Sequence, residues 1–162
     1  MVETNEDKVL YINMPFNGPD LSSSTTGAFE GNTNITTVYM GSGVTYYRIP
    51  PSGSRYEYYD HGLKARTFRG CTNLKTVVLP DTITAIFDDT FRNCTSLETI
   101  TIPKNVLHIS SYAFAGTGIK YVYIHEALDT LLPNAFSNDC IVLYEGEKAH
   151  ENWKNGWDTL SK

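Results

Sequence analysis

Cysteine is scarce in this chain: Cys71, Cys94 and Cys140 are the three among 162 residues, and no CxxC spacing occurs. That is too few for a disulfide scaffold, the odd number leaves at least one free thiol, and the spacing offers no zinc site. Charge is sparse too. Charged residues make up 19%, with 13 Lys plus Arg against 18 Asp plus Glu and a formal charge of -5. Without a basic excess, neither nucleic acid nor an anionic membrane surface is an expected partner. No apolar run reaches the length of a transmembrane helix, so membrane insertion is not expected. The amino terminus, Met1 to Lys8, is acidic where a signal peptide is basic and then apolar. The expectation is either a cytoplasmic protein or a secreted one whose signal lies outside this sequence.

What the chain has instead is uncharged and polar. The 19 Thr and 12 Asn together equal the charged residues in number, and Tyr contributes 11. Such a mixture suits strands and tight turns. The length fits one domain, and about 150 residues bury roughly 68–70% of the unfolded surface.

Self-similarity is the main signal. Phe68, Phe91, Phe114 and Phe136 are spaced by 23, 23 and 22. Around them the text reads TFRGCTNLKTVVLPDTITAI, TFRNCTSLETITIPKNVLHI and AFAGTGIKYVYIHEALDTL, each a variant of F-x-x-C/T, then L-x-x-I-x-I-P, then a V-x-x-I pair. A weaker unit runs from Phe29 through Ile35, Val38 and Met40 to Val44, and Val9, Ile12, Met14 and Pro15 reproduce the strand portion alone. In L-x-x-I-x-I the last two apolar residues have the period of a strand with one buried face, and the Pro ends the ladder. Six strand turns are expected: Val9 to Met14, Ile35 to Met40, Leu74 to Leu79, Leu97 to Ile102, Ile119 to Ile124 and Cys140 to Tyr144. One unit cannot bury its apolar face, so neighbours stack and each template position becomes a core column. The columns are Leu74, Leu97 and Ile119; Val77, Ile100 and Val122; Leu79, Ile102 and Ile124; and the four Phe.

These residues resemble the BspA-like leucine-rich repeats, whose unit is similar to AFxxCxxLxxIxIPxxVxxIgxx. TFRNCTSLETITIPKNVLHISSYAF matches it over Thr90 to Phe114; the likeness is close from Thr67 to Tyr144 and loose from Ala28 to Val44. The ending IVLYEGEKAHENW is similar to the segment that closes such arrays. Departures are Phe87 where the family has Gly, Thr117 in place of Cys, and no Pro after Met40. The resemblance implies a β-rich α/β solenoid: a right-handed array of about six turns with short return helices or 3-10 segments, spanning 1–144, and a C-terminal cap at 145–162. It also implies a noncatalytic module, extracellular or on a bacterial surface, that binds a host or matrix protein. The alternative is a structural scaffold segment with no ligand of its own. The family defines no binding residue to carry over.

With the apolar positions inward, the outward strand residues are Thr37, Tyr39, Thr76, Val78, Thr99 and Thr101, followed by Tyr121 and Tyr123, edged by Lys75, Glu98 and Lys120. Tyr39, Thr99, Thr101, Tyr121 and Tyr123 are the candidate binding residues of this face, because Tyr gives a large amphipathic contact. Good strand propensity alone would also put Thr and Tyr there. The repeat breaks at about 46–66, where an insertion carries Tyr46, Tyr47 and the further candidates Tyr56, Tyr58 and Tyr59. Insertions in repeats form loops, and loops on a rigid scaffold carry function; packing over irregular early turns is the other reading. Trp153 and Trp157, four apart on an expected helix, would cover the last turn. The other end lacks such a cap, so self-association at an open solenoid end is an option.

Catalytic chemistry finds little support. His61, His108, His125 and His150 sit at unrelated template positions, and nothing around Cys140 resembles a nucleophile setting for a pairing with His125 or His150. Cys71 and Cys94 occupy equivalent places in adjacent turns, about 4.8 Å apart along the stack, as stacked thiols or as a disulfide. No carboxylate spacing fits a calcium loop, and no glycine-rich phosphate loop occurs. Neither a metal nor a cofactor is expected.

Overall fold

The computed structural model describes residues 8–12, 27–44 and 62–146. The tyrosines of the insertion, including Tyr56, Tyr58 and Tyr59, lie outside the described residues, as do Trp153 and Trp157.

The described residues form short parallel strands: β1 (Val9–Ile12), β2 (Thr37–Met40), β3 (Gly62–Leu63), β4 (Thr76–Val78), β5 (Ala85–Ile86), β6 (His108–Ile109), β7 (Tyr121–Ile124), β8 (Thr130–Leu131) and β9 (Ile141–Tyr144). They fall into two lines. The strand face holds β1-β2-β4 and, further along, β7-β9, while the V-x-x-I pairs build a return ladder of β3-β5-β6-β8. All pairings are parallel, as consecutive turns of a coil require. A third line of hydrogen bonds joins the Phe turns: the N–H groups of Phe29, Phe68, Phe91 and Phe114 donate to carbonyls of the next turn over 2.6–2.9 Å.

The core is the set of columns that the repeat dictates. Leu74, Leu97 and Ile119 are fully buried, as are Phe68, Phe91 and Phe114. From Phe29 to Phe136 the rings stack nearly parallel, with centroids 5.0–5.5 Å apart. Both residues of each V-x-x-I pair are sealed from solvent: Ile83 and Ile86, Val106 and Ile109, Leu128 and Leu131.

Four features differ from the sequence reading. Among the described residues there are no return helices. The segment holding the Phe is a tight turn, bracketed by two residues in the left-handed region, which cannot continue a right-handed helix. Two positions before the Phe stand Arg66, Asp89, Tyr112 and Asn134, with φ between 57° and 62°; two positions after it stand Gly31, Gly70, Asn93 and Gly116, with φ between 61° and 73°.

The second difference is the register of β1, where Leu10 rather than Ile12 pairs with Val38, and Val38 pairs with Val77. A two-residue slip leaves the same side chains on the same face, so hydrophobic pattern alone does not detect it.

Third, Gly62 and Leu63, placed by the sequence inside the insertion, pair with Ala85 and Ile86. The ladder takes them in before the Phe returns.

Fourth, Thr99–Ile102 alternates in burial as a strand does, but the segment Leu97–Ile102 joins neither half of the strand face. Val38, Val77 and Ile100 lie nine positions after their Phe, Val122 eight after Phe114 and Val142 six after Phe136, yet β7 and β9 pair in full, so the length of this leg does not decide pairing.

Candidate functional site

The strand face presents two outward columns. One runs through Val9, Thr37, Thr76, Thr99, Tyr121 and Ile141, and the other through Tyr11, Tyr39, Val78, Thr101, Tyr123 and Leu143; neither contains a charged residue. The strand period sets this out, since the intervening Val38, Val77 and Val122 point into the core. Of the candidates read from the sequence, Tyr39, Thr99, Thr101, Tyr121 and Tyr123 are all exposed and share this face.

The face carries large exposed side chains at both ends. Tyr11 is 76% exposed and stacks on Tyr39, with ring centroids 5.3 Å apart and 14° between planes. Tyr121 is 64% and Tyr123 48% exposed, beside Ile141 and Leu143 on the neighbouring strand. Between these patches lie the hydroxyls of Thr76, Thr99 and Thr101, all exposed. Thr99, Ile100 and Thr101 make no main-chain hydrogen bond to another described residue.

Tyr11, Ile141 and Leu143 were missed as site residues. Their signal was available, because Ile141 and Leu143 occupy the template offsets of Tyr121 and Tyr123, and Tyr11 falls on an outward offset in either register of β1.

Charge sits around the face, at Lys75, Glu98 and Lys120, and elsewhere, part of it paired. Lys120 bonds Asp139, which holds the lysine above and the aspartate below its ordinary range through that bond and the attraction between the two charges. His125 Nδ1 lies 3.1 Å from Glu145 Oε2, and its ring meets Tyr123 edge-on. Along the outside of the Phe turns the sign alternates. Arg69 is 3.9 Å from Glu30 and 3.6 Å from Asp89, Asp89 is 3.1 Å from Arg92, and Arg92 lies over the Tyr112 ring. Exposed pairs of this kind contribute at most about 1 kcal/mol each, but they leave this side charged where the strand face is not.

The chemistry set aside in the sequence gains no geometry among the described residues. His108 is buried, its Nε2 2.7 Å from Ser110 Oγ, and Ser110 is itself fully buried, so no substrate reaches the pair. Burial pushes the Cys140 thiol up to about 11, aided by the Asp139 charge, and the thiol stays protonated at neutral pH. Cys71 and Cys94 are free, buried thiols. No cluster of three or more metal-ligating side chains occurs among the described residues. An apolar hollow beside Ile12, Met40, Leu63 and Phe68 has room for about one water. No described helix is long and apolar enough to cross a membrane.

Residues 61–144 match the family model described as BspA type Leucine rich repeat region (6 copies). None of the curated proteins matches significantly. Two crystal structures share the fold. A leucine-rich repeat protein from Bacteroides ovatus ATCC 8483 aligns with a TM-score of 0.63 at 21% identity, covering 88% of this chain and 37% of the other. A leucine rich cell surface protein from Faecalibacterium prausnitzii A2-165 aligns with a TM-score of 0.65 at 22% identity, covering 88% and 33%. The chain thus spans about a third of each.

Proposed function

Because the chain belongs to the BspA-type leucine-rich repeat family, whose members are generally non-enzymatic bacterial surface proteins, we propose that it is a noncatalytic adhesion module. Its strand face is offered to a protein partner, with the tyrosines of the insertion as a second contact. One observation carries this reading: two outward columns hold no charge, yet expose Tyr11, Tyr39, Tyr121 and Tyr123. A solvated sheet face ordinarily carries charged side chains, and exposed aromatic and aliphatic patches such as the two at the ends of this face mark interaction sites. The module is a right-handed solenoid of about six turns over 1–144, closed by a cap at 145–162, and it acts outside the cell on a host or matrix protein.

One observation favours the competing reading of a scaffold segment. Tyr11 and Tyr39 stack on each other, a cross-strand pair that stabilises a sheet without any ligand. Binding to a panel of immobilised extracellular matrix proteins separates the two. Adhesion predicts a partner whose affinity falls when Tyr121 and Tyr123 are changed to Ser, and falls further with Tyr56, Tyr58 and Tyr59 changed to Ala. Unchanged affinity in the strand-face variant removes the face from the proposal, and no partner at all leaves the scaffold.

A further inference from the structure

The middle of the strand face differs chemically from its ends. Tyr platforms stand at both ends, with Tyr11 stacked on Tyr39 at one and Tyr121 and Tyr123 at the other. Between them the surface is a patch of hydrogen-bonding groups, the hydroxyls of the exposed Thr76, Thr99 and Thr101. No charge interrupts either region, and at the rim Lys120 is paired with Asp139 and His125 lies beside Glu145.

We propose that the face binds a neutral glycan chain carried by the protein partner. This rests on the reading that the strand face is the binding surface, and it names what that surface recognises. A sugar ring has an apolar C–H face and a rim of hydroxyls. The face seats on a tyrosine ring, while hydroxyls donate to and accept from the Thr hydroxyls. A patch of apolar polypeptide side chains would cover Thr99–Thr101 and leave those polar groups desolvated and unpaired, at a cost of about 1–3 kcal/mol each. Hydroxyls of a glycan satisfy them. An acidic glycan is disfavoured because the outward columns hold no cation to meet a carboxylate; of the lysines at the edge, Lys120 is engaged by Asp139 and Lys75 stands beside Glu98's turn, off both columns.

The test uses a printed array of neutral and acidic oligosaccharides, together with immobilised asialofetuin before and after enzymatic removal of its glycans. The expected result is binding to neutral glycans over sialylated or uronic-acid ones, loss of any asialofetuin signal once the glycans are removed, and little change between about 0.05 and 0.5 M salt. Changing both Tyr121 and Tyr123 to Ser is expected to weaken neutral-glycan binding roughly tenfold or more, while Lys104→Ala, an exposed change off the two columns, leaves it intact. These tyrosines are exposed, so the variant is expected to keep its circular dichroism spectrum and melting temperature. No neutral glycan bound overturns the inference. Binding to asialofetuin that survives glycan removal also overturns it but leaves a protein-binding face. Glycan binding indifferent to Tyr121 and Tyr123 overturns the reading of the face itself.

Discussion

The Cys94 thiol donates a hydrogen bond to the carbonyl oxygen of Phe68, 3.1 Å away and one turn earlier, and Cys71 does the same to Phe29 at 3.0 Å. Each thiol thus ties its turn to the one before it at the Phe column. Burial, helped by the neighbouring Cys71, pushes Cys94 up to about 12, and burial raises Cys71 as well. Both are therefore unreactive thiols in the folded chain. Under native conditions a thiol reagent is expected to reach half-buried Cys140 first, with Cys71 and Cys94 labelled only as the chain unfolds; mass spectrometry of the labelled peptides reads the order. Rapid native labelling of Cys94, or a Cys71–Cys94 disulfide in freshly purified protein, would contradict this.

The ring column makes a graded expectation for stability. Phe91 is fully buried between Phe68 and Phe114, and Phe91→Ala is expected to cost about 3–5 kcal/mol. Phe29 is only partly buried and stacks on Phe68, so Phe29→Ala is expected to cost less. Denaturant unfolding of the two variants measures the difference.

Left-handed positions two residues after Phe29, Phe68, Phe91 and Phe114 make a second contrast. Gly70 has φ 72° and Asn93, at the same place one turn on, has φ 61°. A Cβ at Gly70 meets open space except for Gly31 at 3.7 Å, so Gly70→Ala is expected to cost about 1–2 kcal/mol through backbone strain alone. Asn tolerates that region, and Asn93→Gly is expected to be near neutral. Equal melting temperatures for Gly70→Ala and the parent chain would show that the turn does not require φ > 0.

Acid is expected to weaken the fold through His108. Burial lowers it from 6.5 to about 4, with the Asp129 charge opposing. Between those values the unfolded chain binds a proton that the folded one excludes. The contribution is full above about pH 6.5 and is lost as the pH falls toward 4, by on the order of 3 kcal/mol. Stability measured from pH 7 to 4.5 is expected to drop in the parent chain and to stay flatter in His108→Gln. Parallel curves would place the acid sensitivity elsewhere.

Much of this molecule was legible in its sequence because stacking forces one residue type into one column. The 23-residue period located Phe68, Phe91 and Phe114, and the strand period put Tyr39, Tyr121 and Tyr123 outward. What escaped has a physical cause in each case. Helices were expected between strands, but Arg66 and Tyr112 are ordinary helix-compatible residues whose left-handed backbone leaves no mark in residue type, unlike Gly70. The β1 register escaped because a two-residue slip conserves the face. Thr99 and Ile100 have strong strand propensity, yet pairing needs a neighbour in register, which propensity does not report.

The most direct test of the proposed binding face is hydroxyl-radical footprinting of the free chain and of the chain bound to the partner that the panel retains. Tyr39, Tyr121 and Tyr123 are expected to be oxidised in the free chain and protected in the complex, while Tyr112, 40% exposed but on the Phe turns, stays equally reactive. Protection of Tyr112 with none at Tyr121 and Tyr123 would move the binding surface off the strand face.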